Sequence, residues 1–393
     1  VIEKFPQDRA SKRKMLLDAV TAIGDTLKAS GAKSEELGTL APEAVTALRD
    51  SGMFRLKLCA EMGGAEADPV TEMLVLENLA YHDLTSGWCT MVGATAIASL
   101  GTFLPKTGLD RVFGGGKIPT ASISFFPAGR AKRDGDGYRL SGRWRFNSGI
   151  GHAEWVIGGT VIEDAEPGQP QVMFSAFPAK DVTLYDNWGG VTGLRGTGSV
   201  DCSVENYFLP RDLTFVWDLL APAPVRGGVS YLLPPFAYVA KEHGSVAIGG
   251  ARRALDELIT IATTTRGTFR ASKLDERQVV HRFIAEADLK LRSARALMHE
   301  RYEALFDKVS AGHKPDGADI ADVRAICVFA TDAAISVGTM AYHFAGNTGL
   351  HHPNVIGRLL RDLNTAGIHQ VMSDTAYENH GKFRLGLPAD PLA

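Results

Sequence analysis

The chain has 393 residues, 45% of them hydrophobic and 22% charged, and its 42 basic and 45 acidic side chains leave a net charge of −3. That size allows two or three domains around a large core, and the composition is that of an ordinary soluble globular protein. No block of one charge stands out, which argues against nucleic acid as a partner. The four scattered cysteines, with no Cys-x-x-Cys pair, argue against a disulfide framework or a zinc site and suit a reducing, cytoplasmic setting.

In chain order, Val1-Ile2-Glu3-Lys4 lacks the apolar core of a signal peptide. Asp68-Pro69 is a helix start, with Asp as cap and Pro where no hydrogen bond is needed, and an apolar face follows through Val70, Met73, Leu74 and Leu76. A second start lies at Thr85-Ser86. The long uncharged run from Leu84 to Pro105 is diluted by Thr, Ser and Gly, so it reads as a buried helix and no membrane span is expected. Gly114-Gly115-Gly116 closes this region, and residues 1–118 read as a helical N-terminal domain.

Residues 119–217 read as a middle β domain. Tyr138-Arg139-Leu140-Ser141 alternates apolar and polar after the turn Asp134-Gly135-Asp136-Gly137, and further strands are expected at 155–157, 172–174, 182–185 and 200–204. The regular turn spacing predicts a small antiparallel barrel or sandwich. A Pro- and Gly-rich connection covers 218–236. Residues 237–393 read as a bundle of four long amphipathic helices at about 237–264, 276–310, 319–344 and 354–379.

Several motifs fall on this layout. Gly142-Arg143-Trp144-Arg145-Phe146-Asn147-Ser148-Gly149 through Trp155 is similar to the strand-loop of acyl-CoA dehydrogenases that runs from Gly through Trp-Ile-Thr-Asn-Gly to Trp. Asn187-Trp188-Gly189-Gly190 with Gly193-Leu194-Arg195-Gly196-Thr197-Gly198-Ser199 resembles that family's next signature. Thr265-Arg266-Gly267-Thr268-Phe269 resembles its Arg-x-x-Phe, and Phe344-Ala345-Gly346-Asn347-Thr348-Gly349 its Gly-Gly-Asn-Gly turn. The resemblance implies an α+β multidomain chain with the acyl-CoA dehydrogenase fold: helical N-domain, antiparallel β middle domain and C-terminal four-helix bundle.

Two departures point away from dehydrogenation. Arg361-Asp362 leads without a gap to His369-Gln370, where dehydrogenases keep a Tyr-Glu pair, and a glutamine cannot take an α-proton from a thioester. Ser124-Phe125-Phe126-Pro127-Ala128-Gly129-Arg130-Ala131 lacks the Glu and Ser of the dehydrogenase Thr-Glu-Pro-Gly-x-Gly-Ser. The chain resembles instead the oxygenase components of two-component flavin monooxygenases of the 4-hydroxyphenylacetate, seco-steroid phenol and dibenzothiophene type. Several of these have a second active-site His late in the helix that begins here at Ser86, where this chain reads Gly93-Ala94-Thr95-Ala96.

What the resemblance implies is specific. Reduced FMN or FAD, supplied by a separate flavin reductase, reacts with O2 to a C4a-(hydro)peroxyflavin that oxygenates an aromatic or heteroatom-containing small molecule. Phe146, Asn147, Ser148, Arg266, Phe269, Gly346 and Asn347 bind the flavin, with Phe146 stacking on it, Ser148 at N5 and Arg266 on phosphate. His369 and Ser148 are the catalytic candidates, and Trp88, Met91, Phe236, Tyr238 and His369 the substrate-pocket candidates. The family also implies a homo-oligomer, in most cases a tetramer.

Plainer readings of these residues exist. Ser148 can cap a turn, His369 can be a satisfied helix histidine, and large apolar residues are more often core than pocket. His351-His352-Pro353 has metal-binding residue types, but adjacent histidines point apart, so no metal is expected. No Gly-x-Gly-x-x-Gly opens a helix after a strand, so NADH is expected to act on the partner. Two alternatives remain at this level: an acyl-CoA dehydrogenase or oxidase with its base displaced to a residue such as Glu242 or Glu257, and a non-catalytic flavin-binding scaffold.

Overall fold

A computed structural model describes residues 4–264 and 273–390. Five helices come first: α1 (Arg9–Leu37), α2 (Pro42–Asp50), α3 (Pro69–His82), α4 (Leu84–Phe103) and α5 (Lys106–Phe113). The expected cap at Asp68 is present, its carboxylate accepting the Thr71 N–H at 3.0 Å with Pro69 behind it. Asp83 caps α4 in the same way through Ser86 N at 2.8 Å. All of α4 except Val92 is buried, and none of the described helices is long and apolar enough to cross a membrane.

The strands are β1 (Ala121–Asp134), β2 (Gly137–Trp144), β3 (Trp155–Ile162), β4 (Val172–Pro178), β5 (Thr183–Leu184), β6 (Cys202–Pro210) and β7 (Thr214–Phe215). They form one sheet in the order β5-β6-β2-β1-β3-β4-β7. The expected hairpin joins β1 to β2, with Gly135 at φ 58° in the left-handed region that its tight turn requires. Two expectations need correction. The sheet is mixed, because β1 and β3 run parallel while the other pairs are antiparallel. It is also a single open sheet with β5 and β7 at its edges, not a closed barrel or a sandwich. Turn spacing reports strand count, whereas pairing between β1 and β3 is non-local and leaves no local mark.

After the connection come α6 (Pro235–Thr264), α7 (Gln278–Ser310), α8 (Gly317–Ala345), α9 (Val355–Gly367) and α10 (Thr375–Arg384). Helix α6 packs most extensively on α8 and α3, so it ties the first helical region to the last. The expected fourth helix over 354–379 is broken in two. Helix α9 ends at Gly367, and a turn at Gln370–Met372 intervenes before α10. A Cβ on Gly367 would lie 2.4 Å from Ile335 Cδ1, so the end of α9 packs closely against that side chain of α8.

Candidate active site

Three loops meet at Trp88, on the buried helix α4. The first leaves β2. Trp144 closes that strand with its indole lying across Gly158, where a Cβ would sit 2.3 Å from the ring, and its Nε1–H donates to Gly159 O at 2.7 Å. The chain then bends at Phe146, a bulky residue with φ 61° and 62% exposure. Such a conformation costs free energy, and here it turns an aromatic face outward while Asn147 and Ser148 turn in. Asn147 is fully buried, donating to Trp144 O at 2.9 Å and Val200 O at 3.2 Å, while its Oδ1 has no partner among the described residues.

The second loop carries Leu194 to Ser199. Asp362 of α9 accepts the Leu194 N–H at 2.6 Å, and Gly193 lies against Arg361 O, so the loop is clipped to that helix. Burial pushes the Asp362 carboxyl up to about 7, against the opposing pull of the Leu194 N–H and Arg358. Ser148 Oγ lies 2.7 Å from Ser199 Oγ, which lies 2.6 Å from Thr197 Oγ1, which lies 2.6 Å from Leu194 O. Trp88 Nε1–H donates to Ser148 Oγ at 3.1 Å.

The third loop holds His369, and here the expectation of a helical histidine fails. His369 follows the end of α9 and caps the next turn, with Nδ1 accepting the Val371 N–H at 3.2 Å. An acceptor Nδ1 puts the neutral ring's proton on Nε2. The Trp88 ring stands edge-on to His369 at 5.6 Å and to a second imidazole, His243 of α6, at 5.2 Å. The two imidazole centroids are 4.4 Å apart. His243 has the opposite tautomer: its Nδ1–H donates to Val239 O at 3.1 Å, which leaves Nε2 as an acceptor.

Both rings are held neutral. Burial pushes His243 down to about 4. His369 opens to the groove on one side, yet the protein crowded around its ring and the neighbouring His243 both disfavour its charged form, and its pKa falls well below 6.5. No carboxylate bonds to Ser148, His243 or His369 among the described residues. Beside His369, a groove of about 440 Å³ is lined by Val328, Gln370 and Met372, among others.

The remaining candidates fall in different places. Met91 and Tyr238 are buried, Tyr238 beneath the Lys57 and Lys241 ammonium groups at 3.6 and 4.4 Å from its centroid. Phe236 is half-buried under the Arg324 guanidinium. Gly346 and Asn347 lie on the turn between α8 and α9, with no hydrogen bond or ring contact to the Ser148 loop among the described residues. Arg266 and Phe269 lie outside the described residues. Sequence reasoning missed His243, Thr197 and Ser199. The Gly-Thr-Gly-Ser stretch was a usable signal for the last two, whereas a lone histidine inside an apolar helix gave none.

Both displaced-base candidates are ion-paired. Glu242 is 2% exposed and ion-paired to Lys57, which also donates to Thr95 Oγ1 at 2.8 Å. Glu257 is paired with Arg253 at 2.5 Å. The residues that are present fit a flavin edge: a strained, outward aromatic face at Phe146, its neighbour Trp188 at 6.2 Å, and a hydroxyl at Ser148 with an unused lone pair.

Comparison with known proteins agrees. Residues 11–104 match the acyl-CoA dehydrogenase N-terminal domain and residues 242–374 the acyl-CoA dehydrogenase C-terminal domain. The chain belongs to the acyl-CoA dehydrogenase family. Within it, the chain is 27% identical over 390 residues to a pigment production hydroxylase of a Rhodococcus species, covering 97% of this chain and 99% of that one. It is 28% identical over 382 residues to the flavin-dependent monooxygenase oxygenase subunit HsaA of Rhodococcus jostii, covering 95% and 98%. The structure of XiaF from a Streptomyces species, in complex with FADH2 and glycerol, superposes with a TM-score of 0.87 at 23% identity over 98% of both chains, which shows the shared fold. The names of the two Rhodococcus relatives describe oxygenating enzymes, as does that of a resorcinol hydroxylase oxygenase component of a Rhizobium species, 24% identical over 388 residues.

Proposed function

We propose that this protein is the oxygenase component of a two-component monooxygenase, using reduced FMN or FAD from a separate reductase to oxygenate a small aromatic or heteroatom-containing molecule. The observation that carries this reading is the pair of neutral imidazoles that share Trp88 with Ser148, next to Gln370, which falls where the resembling dehydrogenases keep a carboxylate. Bound reduced flavin would supply the two electrons that split dioxygen into one atom for the substrate and one for water.

The chain's own residues do the rest. Ser148 accepts a hydrogen bond at the flavin N5 edge. Phe146 and Trp188 offer a stacking surface, with Arg266 on phosphate. His369 Nε2–H donates to a substrate oxygen or to the departing oxygen atom, and His243 Nε2 accepts a proton from a substrate hydroxyl or ring N–H. Trp88 holds both imidazoles and Ser148 in one frame. The apolar surroundings of Trp88 and Met91 exclude water, which would otherwise divert activated oxygen to peroxide. Exposed apolar residues on α7 and α8, Leu289, Phe329 and Met340, suit assembly into a homotetramer, and four buried free cysteines suit the cytoplasm.

The test supplies photoreduced FMN or FAD anaerobically, then isotopically labelled dioxygen, with phenols, indoles and thioethers as substrates. One labelled oxygen atom in a product supports the reading. Reduction of the bound oxidised flavin by an acyl-CoA, or peroxide as the sole product across the panel, overturns it.

A further inference from the structure

Between Leu194 O and Ser148 Oγ lie three oxygen–oxygen contacts of 2.6, 2.6 and 2.7 Å. Oxygens that close need one hydrogen in each contact. Exactly as many hydroxyl protons are available, one each on Thr197, Ser199 and Ser148, and the carbonyl at the end has none to give. Only one assignment satisfies all three contacts. Thr197 donates to Leu194 O, Ser199 donates to Thr197, and Ser148 donates to Ser199. Trp88 Nε1–H occupies one Ser148 lone pair, so the single valence left on that hydroxyl is an acceptor.

The carbonyl that fixes the direction is itself fixed. Leu194 sits in the left-handed region at φ 53°, its N–H is held by Asp362, and its carbonyl also takes the Trp188 Nε1–H at 3.1 Å. Ser199 and Thr197 are 4% and 0% exposed, so water does not compete for their protons.

We propose that Ser199 and Thr197 set the redox preference of the flavin site by holding the Ser148 hydroxyl as an obligate acceptor. This rests on the reading that Ser148 meets the flavin N5. Reduced flavin carries a hydrogen on N5 and matches the free lone pair. Oxidised flavin presents a lone pair there and meets another lone pair. The relay therefore favours reduced flavin and releases the oxidised form, as a protein charged by a separate reductase requires. Ser199 and Thr197 are positioning residues in this scheme, since neither touches the flavin.

The test is the ratio of dissociation constants for oxidised and reduced FMN, measured anaerobically by flavin fluorescence and ultrafiltration. Ser199→Ala frees the Ser148 proton to donate to N5, and the ratio is expected to fall about three- to tenfold, mainly by tighter oxidised-flavin binding. Thr197→Val lets Ser199 donate back to Ser148 and should lower the ratio in the same direction, which keeps the idea testable if one variant folds poorly. Ser199→Thr retains the hydroxyl and should restore the parent ratio. A ratio unchanged in folded Ser199→Ala or Thr197→Val, in a protein that binds reduced flavin and forms product, overturns the relay alone. A parent protein that binds neither flavin overturns the relay and the proposed function together.

Discussion

Two polar clusters share helix α6, and they are built on opposite principles. Lys241 and Glu242 belong to a sealed ionic group: Lys241 lies 2.9 Å from Glu72, Glu242 is paired with Lys57, and all four side chains are at most 2% exposed. His243, the next residue along, belongs to the Trp88 frame with His369 and Ser148. Successive helix residues project about 100° apart, so one turn faces both clusters. In the first, charges are buried and answered by charges at ion-pair distance. In the second, nothing is charged, yet Ser148, His243 and His369 each keep one unused valence. What separates the candidate site from the ionic group is therefore the absence of charge together with an opening to a groove, and burial of charge by itself does not mark it.

The sharpest way to break that contrast is to remove one charge. Glu242→Ala leaves Lys57 buried without its partner, and the expected loss is about 3–5 kcal/mol of stability, read by denaturant unfolding. Burial already pushes the Lys57 pKa down to about 8, so the variant should recover part of its stability as pH rises and the amine sheds its proton. A loss below about 1 kcal/mol would show that the ionic group is not the structural half of the pair.

On the other side, His369→Ala is expected to cut product formation about 100-fold while reduced-flavin binding stays at the parent level, measured by coupling of product to flavin consumed. Equal coupling in variant and parent would remove His369 from the chemistry. His243→Leu should cost about tenfold, and only with substrates that carry a hydroxyl or ring N–H to donate. A thioether substrate should not notice the change, and an equal loss on both substrate types would make His243 a packing residue. Because His243 titrates near 4, its contribution should be flat from pH 6 to 9, a range well above that value.

The smallest effect concerns the clip between α9 and the Leu194 loop. Burial raises the Asp362 carboxyl to about 7 in the fold from an ordinary value of 3.8, so between those values the folded chain holds a proton that the unfolded chain lacks. Stability should therefore fall as pH rises through that window. Asp362→Asn keeps an acceptor for the Leu194 N–H and should flatten the decline in thermal midpoint between pH 5 and 8. Parallel pH profiles in the two proteins would disprove the assignment.

Much of this was legible beforehand, and the failures have physical causes. The order helices, strands, helices follows from local periodicity and caps such as Asp68-Pro69, which act over a few residues. Ser148 and His369 were singled out by their place in the resembling motifs, and the fold brings both against Trp88. The break of the last helix before His369 was missed although Gly367, a poor helix former near the end of an apolar-periodic stretch, falls where the helix ends. His243 was missed because a histidine within an apolar helix looks the same whether it is core or site.

The sequence by itself determined the class of elements, their order, and the replacement of a carboxylate by Gln370, because periodicity, caps and residue chemistry are local. Tertiary structure alone decided which way protons point: the direction of the Thr197–Ser199–Ser148 chain and the opposite tautomers of His243 and His369. Those depend on which oxygen or nitrogen lies within about 3 Å of each donor, and that distance is set by the packing of α4, α6 and α9 against the sheet loops.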